Sequence, residues 1–146
     1  SADGNHKTNE FLYRRVDIQD VVDAHLLAIA RAAEIGFGRY IVSATTPFMS
    51  DDLPALRDDA PAVVARRVPA YQAEYARRGW RMFPRIGRGY VNTAARQALG
   101  WQPRHDFAHV LERLRAGEDP RSPLAQAIGR KGYHGASFED GLYPVE

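Results

Sequence analysis

The sequence lacks cysteine and is poor in lysine, and both features narrow the chemistry that it can perform. None of its 146 residues is cysteine, which excludes disulfide bonds, thiolate metal ligands and cysteine nucleophiles. Its lysines are Lys7 and Lys131, so its positive charge comes almost entirely from arginine. No apolar run approaches the roughly 18 residues of a membrane span, and the polar start SADGNHKTNE has no secretory h-region. We therefore expect a cytoplasmic protein without a membrane partner.

Several motifs of nucleotide-dependent enzymes are also missing. The sequence contains no G-x-x-x-x-G-K-[ST] loop, no G-x-G-x-x-G after a predicted strand and no G-x-S-x-G turn. No tyrosine is followed four residues later by lysine. We therefore assign no catalytic residue and no cofactor-binding residue, and we expect the chain to be inactive by itself.

One group of residues has spacing that suits a metal ion. His105 and His109 are four residues apart, and Glu112 follows three residues after His109, so a continuous helix would place all three on one face. Asp106, however, is typical of a helix N-cap, which places His105 before the helix and away from that face. We therefore predict no metal site.

The charge pattern favours a small anionic ligand. Lysine and arginine together number 20 against 18 acidic residues, a formal net charge of +2. Arginine binds phosphate oxygens through two parallel hydrogen bonds, which lysine cannot do. A nucleic-acid-binding protein usually carries a stronger and more continuous basic stripe than this one, so we expect no nucleic-acid partner.

The hydrophobic pattern predicts an α/β fold that is mostly helical with a few short strands. Residues 11–18 (FLYRRVDI), 39–44 (RYIVSA) and 88–92 (RGYVN) are short runs of the composition found in strands. Between the first two, VVDAHLLAIARAAE has helical spacing, with Asp17 as its cap and Gly36 at its end. Strand, helix and strand in this order are typical of a parallel α/β unit.

The rest of the chain is predicted to be helical. Pro61 and Pro69 stand where helices begin, and Gly79 and Gly100 stand where helices end. Ser122 is the expected cap of a last short helix. We expect Val63, Val64, Val68, Tyr71 and Tyr75 to face the core, and Phe107, Val110, Leu111 and Leu114 to share one helix face. The predicted organisation is a flexible segment 1–10, a binding domain 11–129 and a polar C-terminal arm 130–146.

Four arginines are the candidate binding residues. Arg85 and Arg88 flank Gly87 in a predicted loop, where a residue without a side chain lets a ligand approach closely. Arg14 and Arg15 lie in the first predicted strand, so we expect their side chains to point to opposite faces. Arginines that converge from separate segments could hold a diphosphate. The alternative is that they form a solvated basic surface.

Three stretches resemble the C-terminal part of the NAD-dependent epimerase/dehydratases, the extended short-chain dehydrogenases that act on nucleotide sugars. They are YRRVDIQDVVDAHLLAI, RYIVSA followed by Pro47, and RGYVNTAARQALGWQP. The last is similar to the family signature in which an arginine and a Tyr-x-Asn or Tyr-x-Asp strand lead into Ala-Arg-x-x-Leu-Gly-Trp-x-Pro. The resemblance runs from about Phe11 to Pro103.

The resemblance implies a nucleotide-sugar-binding part of an extended Rossmann-type enzyme. In that family the later part of the chain supplies the phosphate-binding arginines, and Arg88 matches the arginine before the signature strand. Tyr90 and Asn92 match the Tyr-x-Asn pair. Many members have a second arginine at the place of Tyr13, whereas this chain has Arg14 one position later. Whether the reaction is epimerisation, dehydration or reduction does not follow from these residues.

The same resemblance implies that NAD or NADP binds elsewhere in the complete enzyme. The family's glycine-rich loop and Tyr-x-x-x-Lys catalytic pair belong to its N-terminal Rossmann half, and neither motif is in this chain. Two short strands do not make a stable sheet alone, so we expect either that missing half or self-association to complete the sheet. The alternative function is a non-enzymatic module, derived from the same family, that binds an anion or a protein partner.

Overall fold

A computed structural model describes residues 2–129, and helices are the only regular secondary structure in that range. A 3₁₀ turn at Ser50–Asp52 precedes α3. The α-helices are α1 (Ala2–Glu10), α2 (Ile18–Ile35), α3 (Leu53–Asp58), α4 (Ala60–Arg67), α5 (Tyr71–Arg78), α6 (Thr93–Leu99), α7 (Phe107–Arg115) and α8 (Pro123–Ile128). The polar C-terminal arm predicted for residues 130–146 lies outside the described residues.

The predicted α/β fold is wrong for the part of the chain that the structure describes, because no strand forms between residues 2 and 129. The segment 11–18 fails to become a strand because α1 continues directly into it. The backbone N–H groups of Phe11, Leu12 and Tyr13 donate to the last carbonyls of α1, and those of Arg14 and Arg15 both donate to the carbonyl of Glu10. These bonds produce a turn, and α2 already begins at Ile18.

The other two predicted strands are extended segments without a hydrogen-bonded ladder. In segment 39–44, the amide of Ala44 donates to the carbonyl of Arg15 at 2.8 Å. In segment 88–92, the amide of Tyr90 donates to the carbonyl of Tyr13, also at 2.8 Å. A sheet requires repeated pairs of such bonds along both strands. The three segments therefore lie side by side without forming a sheet.

The first ten residues, which we expected to be flexible, contain a helix that packs against the rest of the molecule. Helix α1 contacts α7, and its last turn buries Thr8, Asn9 and Glu10. The Asn9 side chain accepts a hydrogen bond from the Tyr75 hydroxyl at 2.6 Å and donates to the carbonyl of Arg81 at 2.9 Å. Buried polar groups with partners of this kind anchor α1 to α5 and to the segment that follows it.

The helix ends predicted from Asp17, Asp106, Ser122, Gly79 and Gly100 are confirmed, whereas α5 begins at Tyr71, two residues after the predicted start at Pro69. The side chains of Asp17, Asp106 and Ser122 each accept a hydrogen bond from a backbone N–H in the first turn of α2, α7 and α8. Gly79 and Gly100 end α5 and α6 in the left-handed conformation. Local capping chemistry therefore fixes these helix boundaries.

Within the described part of the chain, two buried clusters hold the helices together. The larger contains Leu12, Leu56, Ala60, Val63, Val64, Tyr71, Tyr75, Ile86, Phe107 and Leu111. The smaller contains Ala24, Ala95, Leu99 and Trp101, and it joins α2 to α6. The core-facing residues predicted in α4, α5 and α7 are confirmed, except that Val68 is only partly buried.

Candidate arginine site

The structure brings three of the four candidate arginines to one open concavity. This arginine concavity has a volume of about 410 Å³. It is lined by Tyr13, Arg14, Arg85, Ile86, Gly87 and Arg88. The turn after α1 supplies the first two residues, and the loop after α5 supplies the other four. The convergence from separate segments predicted for these arginines is therefore present for Arg14, Arg85 and Arg88.

The loop that carries Arg85 and Arg88 is held by Ile86, one of the two residues between them. Ile86 is buried in the larger core cluster, and its amide donates to the carbonyl of Leu56 at 2.8 Å. Two residues earlier, the carbonyl of Pro84 accepts a hydrogen bond from the amide of Ala60. These contacts fix the backbone on both sides of Arg85, while both arginine side chains remain exposed.

Arg14 is held in place by Glu10 at the end of α1. Its guanidinium pairs with the Glu10 carboxylate and lies 5.4 Å from the centre of the Tyr13 ring. Burial raises the pKa of Glu10, but the hydrogen bonds and positive charges of Arg14 and Arg15 outweigh it, so this pKa lies below its usual value. The hydrogen bond to Glu10 is also the main reason that the pKa of Arg14 is raised. Two guanidiniums therefore share one carboxylate.

Arg85 and Arg88 have no carboxylate partner among residues 2–129. Many other arginines of the chain form ion pairs, including Arg66 and Arg67 with Asp52 and Arg121 with Asp119. The positive charge at the concavity is therefore not neutralised within the described structure. An anion that enters it would meet donors with free hydrogen-bonding capacity.

Arg15 does not line the arginine concavity with the other three arginines. It pairs with the same Glu10 carboxylate as Arg14, yet it lines a second and larger cavity instead of the arginine concavity. The strand geometry from which we expected opposite orientations is absent. Instead, the turn after α1 places Arg14 at the arginine concavity and Arg15 at the second cavity.

Tyr90 and Asn92 do not line the arginine concavity. Tyr90 is 40% exposed, and its backbone amide donates to the carbonyl of Tyr13. Asn92 is 4% exposed, and its side-chain amide donates to the carbonyl of Ser43 at 2.8 Å and to the hydroxyl of Thr45 at 3.1 Å. Asn92 thus joins the extended segment 43–45 to the start of α6 by hydrogen bonds and stabilises the conformation of the chain there.

The structure also shows where His105 and His109 lie relative to α7. Asp106 caps α7 by accepting the His109 amide at 2.9 Å, so His105 precedes the helix, as predicted. The ring Nδ1 of His105 lies 3.1 Å from a carboxylate oxygen of the buried Asp20. Within residues 2–129, no group of three or more candidate ligands is placed to hold a metal ion.

No pattern in the sequence predicts the second cavity, which Arg15 lines. It has a volume of about 670 Å³ and lies among α1, the start of α2, α7 and α8. We call it the apolar cavity because Phe11, Trp80, Val110, Leu114 and Ile128 are among its lining residues. Its walls come from segments more than a hundred residues apart, and such a juxtaposition leaves no local signal in the sequence.

Comparison of the chain with protein-family models, with curated proteins and with solved structures gives no match in any of the three. In the part of the chain that the structure describes, no helix is both long enough and apolar enough to cross a membrane.

Proposed function

We propose that the chain binds a phosphate-bearing small molecule, with a nucleotide sugar as the preferred ligand, at the arginine concavity. The observation that carries this proposal is that Arg85 and Arg88, which lack a carboxylate partner among residues 2–129, share a concavity with Arg14. The sequence resemblance supports the same ligand class, because Arg88 matches the family's phosphate-binding arginine. On this proposal the chain is the substrate-binding part of an NAD- or NADP-dependent epimerase or dehydratase.

The chemistry of a diphosphate suits three converging guanidiniums. Each guanidinium offers a planar pair of N–H donors that matches two phosphate oxygens. Charge-assisted hydrogen bonds of this kind each contribute about 1.5–3 kcal/mol. Tyr13 adds an aromatic ring beside Arg14, on which the apolar face of a sugar can pack. Glu10 opposes the anion only partly, because its single charge is shared by Arg14 and Arg15.

The proposal assigns a limited role to this chain. Hydride transfer and cofactor binding belong to the partner or segment that carries the glycine-rich loop and the Tyr-x-x-x-Lys pair, so the isolated chain has no turnover. A cytoplasmic location, where nucleotide sugars and NAD are available together, is part of the same proposal.

The first test is calorimetric titration of the full chain with UDP-glucose, UMP and inorganic diphosphate. The Arg88→Ala variant should bind each phosphate ligand about tenfold or more weakly, the loss expected for one charge-assisted contact. Arg96 provides the matched control, because it is an exposed arginine on α6 that lines neither cavity. The proposal fails if Arg88→Ala and Arg96→Ala have the same affinity as the parent chain, or if the parent chain does not bind.

A second candidate function is a non-enzymatic module that associates through helix α2. Leu26 and Ile29 on α2 are 60% and 73% exposed, and Phe37 just beyond its end is 83% exposed. Exposed apolar rows of this kind are common in protein interfaces. Of the possible partners, a second copy of the chain is tested most directly, by size-exclusion chromatography with light scattering. A dimer that Ile29→Glu converts to a monomer supports this function, whereas a parent chain that is monomeric at high concentration contradicts self-association.

A further inference from the structure

The apolar cavity has the size and lining of a binding site for a small organic molecule. Its volume of about 670 Å³ falls within the range of roughly 300–1,000 Å³ that is typical of ligand pockets. Phe11 from the turn after α1 and Trp80 from the segment after α5 provide aromatic surface, and Val110 and Leu114 extend the apolar lining along α7. Ile128 closes one side from α8 and is 44% exposed.

Cationic side chains surround this apolar lining. They are Lys7, Arg15, Arg78 and Arg121. Lys7 and Arg121 are each balanced by one carboxylate, Asp3 and Asp119. The other two belong to groups in which two arginines share one carboxylate: Arg14 and Arg15 with Glu10, and Arg77 and Arg78 with Glu74. Each of these two groups therefore keeps a net charge of +1.

Arg15 and Arg78, the members of these two groups that line the cavity, lie at the boundary between the polar rim and the aromatic lining. The Arg15 guanidinium carbon is 5.8 Å from the centre of the Phe11 ring, and that of Arg78 is 5.1 Å from the centre of the Trp80 ring. Arg78 also donates to the carbonyl of Leu114 at 2.8 Å. Cation–π stacking of both arginines, and the hydrogen bond of Arg78, thus hold the two guanidiniums at the edge of the aromatic lining. The apolar body of a bound ligand would end at this edge.

Asp17, which lines the cavity together with Asp119, cancels only part of this charge. Asp17 is buried and already accepts hydrogen bonds from the backbone amides of Gln19 and Ser122. Burial raises its pKa, but the bonds from Ser122 and Gln19 outweigh it and keep the pKa below the usual value. Asp17 therefore stays charged. Among residues 2–129, both arginine groups (including Arg14 and Arg77, which do not line the cavity), both neutral pairs and Asp17 together give the surroundings of the cavity a net charge of +1.

From this arrangement we infer that the apolar cavity binds an amphipathic organic anion, such as a medium-chain fatty acid, with its apolar body on Phe11 and Trp80 and its acidic head beside Arg15 or Arg78. The site is separate from the arginine concavity, since no residue in the range 2–129 lines both. It also differs in chemistry, because the arginine concavity has little apolar lining and suits a phosphate. The inference therefore does not depend on the nucleotide-sugar proposal.

The test measures displacement of the fluorescent anion 1,8-anilinonaphthalenesulfonate from the full chain by dodecanoate, below its micelle concentration. We expect saturable displacement, with dodecyltrimethylammonium at least about tenfold weaker because its charge is reversed. Ile128→Glu introduces a negative charge at the cavity edge and should weaken dodecanoate binding about fivefold or more. The matched control is Leu53→Glu, an exposed apolar residue on α3 that lines neither cavity and should leave binding unchanged.

Several outcomes would overturn the inference. Equal affinity for the dodecyl anion and cation would mean that the rim charge does not select the ligand. Equal affinity of Ile128→Glu and Leu53→Glu would mean that the dodecyl chain binds elsewhere. Arg88→Ala should bind dodecanoate as the parent does, so a loss in that variant would also count against a separate site. Circular dichroism of each variant confirms that the helices are intact before binding is compared.

Discussion

At the scale of single residues, Asp20 shows how one buried side chain can join distant parts of the chain. Its side chain is fully buried. The carboxylate accepts hydrogen bonds from the backbone amides of Arg104 and His105 at 3.1 and 2.9 Å, and its backbone carbonyl accepts the Trp101 indole N–H at 3.0 Å. The first turn of α2 is therefore fastened to the segment between α6 and α7.

We predict that Asp20→Ala lowers the free energy of unfolding by about 1–3 kcal/mol, because it leaves a buried backbone N–H group without a partner. Asp23→Ala is the matched control on the same helix: Asp23 is partly exposed and forms a surface pair with Arg104, which is worth about 0–1 kcal/mol. Urea titration of both variants measures the difference. Equal losses in the two variants would show that the hydrogen bonds of Asp20 contribute no more than a surface pair.

At the scale of elements, the end of α5 shows how a glycine places a neighbouring side chain. Gly79 has φ +64°, and the amides of Gly79 and Trp80 donate to the carbonyls of Ala76 and Tyr75. This is the pairing of a Schellman motif. The motif turns the chain so that the Trp80 ring packs edge-on against Tyr75 at 5.6 Å, and Trp80 then lines the apolar cavity.

We predict that Gly79→Ala costs about 1 kcal/mol of stability, since an alanine in the left-handed region is strained. The cost should come from the backbone alone, because nothing lies within 4 Å of a Cβ built at Gly79. Gly87 provides the control: a Cβ there also meets nothing within 4 Å, but its φ is not positive, so Gly87→Ala should be neutral. If thermal unfolding midpoints of the two variants agree, backbone strain at Gly79 is not the cause.

Elements that carry local signals could be predicted from the sequence, and elements that depend on distant partners could not. Asp17, Asp106 and Ser122 marked helix starts correctly because a cap acts within one turn. Segment 39–44 has strand composition, but its backbone forms one hydrogen bond with Arg15 and no ladder. Likewise, the short separation of Arg85 and Arg88 in the sequence predicts that they lie close together. The place of Arg14 beside them follows from a turn in a segment whose composition predicts a strand.

At the scale of the whole molecule, separate parts of the fold each contain a buried carboxylate that pairs with two arginines. Glu10 lies at the end of α1, Asp52 precedes α3, and Glu74 is in α5, and all three are less than one-tenth exposed. Asp52 pairs with both Arg66 and Arg67, so it holds the 3₁₀ turn against the end of α4. Each of these carboxylates pairs with two arginines through its negative charge. Protonation of the carboxylates in acid therefore weakens the ion pairs at all three places.

We predict that stability falls as the pH is lowered below about 5. Hydrogen bonds from Arg67, the Met49 amide and Arg66 lower the pKa of Asp52 despite its burial, and hydrogen bonds from Arg77 and Arg78 lower that of Glu74. Because these pKa values are lower in the folded chain, the unfolded chain binds more protons in acid. The stabilisation is therefore complete from about one pH unit above the usual carboxyl pKa near 4, and it is lost as the pH falls from there towards the folded-state values.

Urea unfolding of the parent and of Asp52→Asn at several pH values between 7 and 3 tests this prediction. The variant should be less stable at pH 7, because the neutral amide pairs more weakly with Arg66 and Arg67. Its stability should also depend less steeply on pH, since one of the titrating groups has been removed. Asp51→Asn is the control, because the neighbouring Asp51 is exposed and forms no ion pair with arginine among residues 2–129. A parent chain with pH-independent stability, or an Asp52→Asn slope equal to that of the parent, would show that the arginine pairs of Asp52 do not make the fold sensitive to acid.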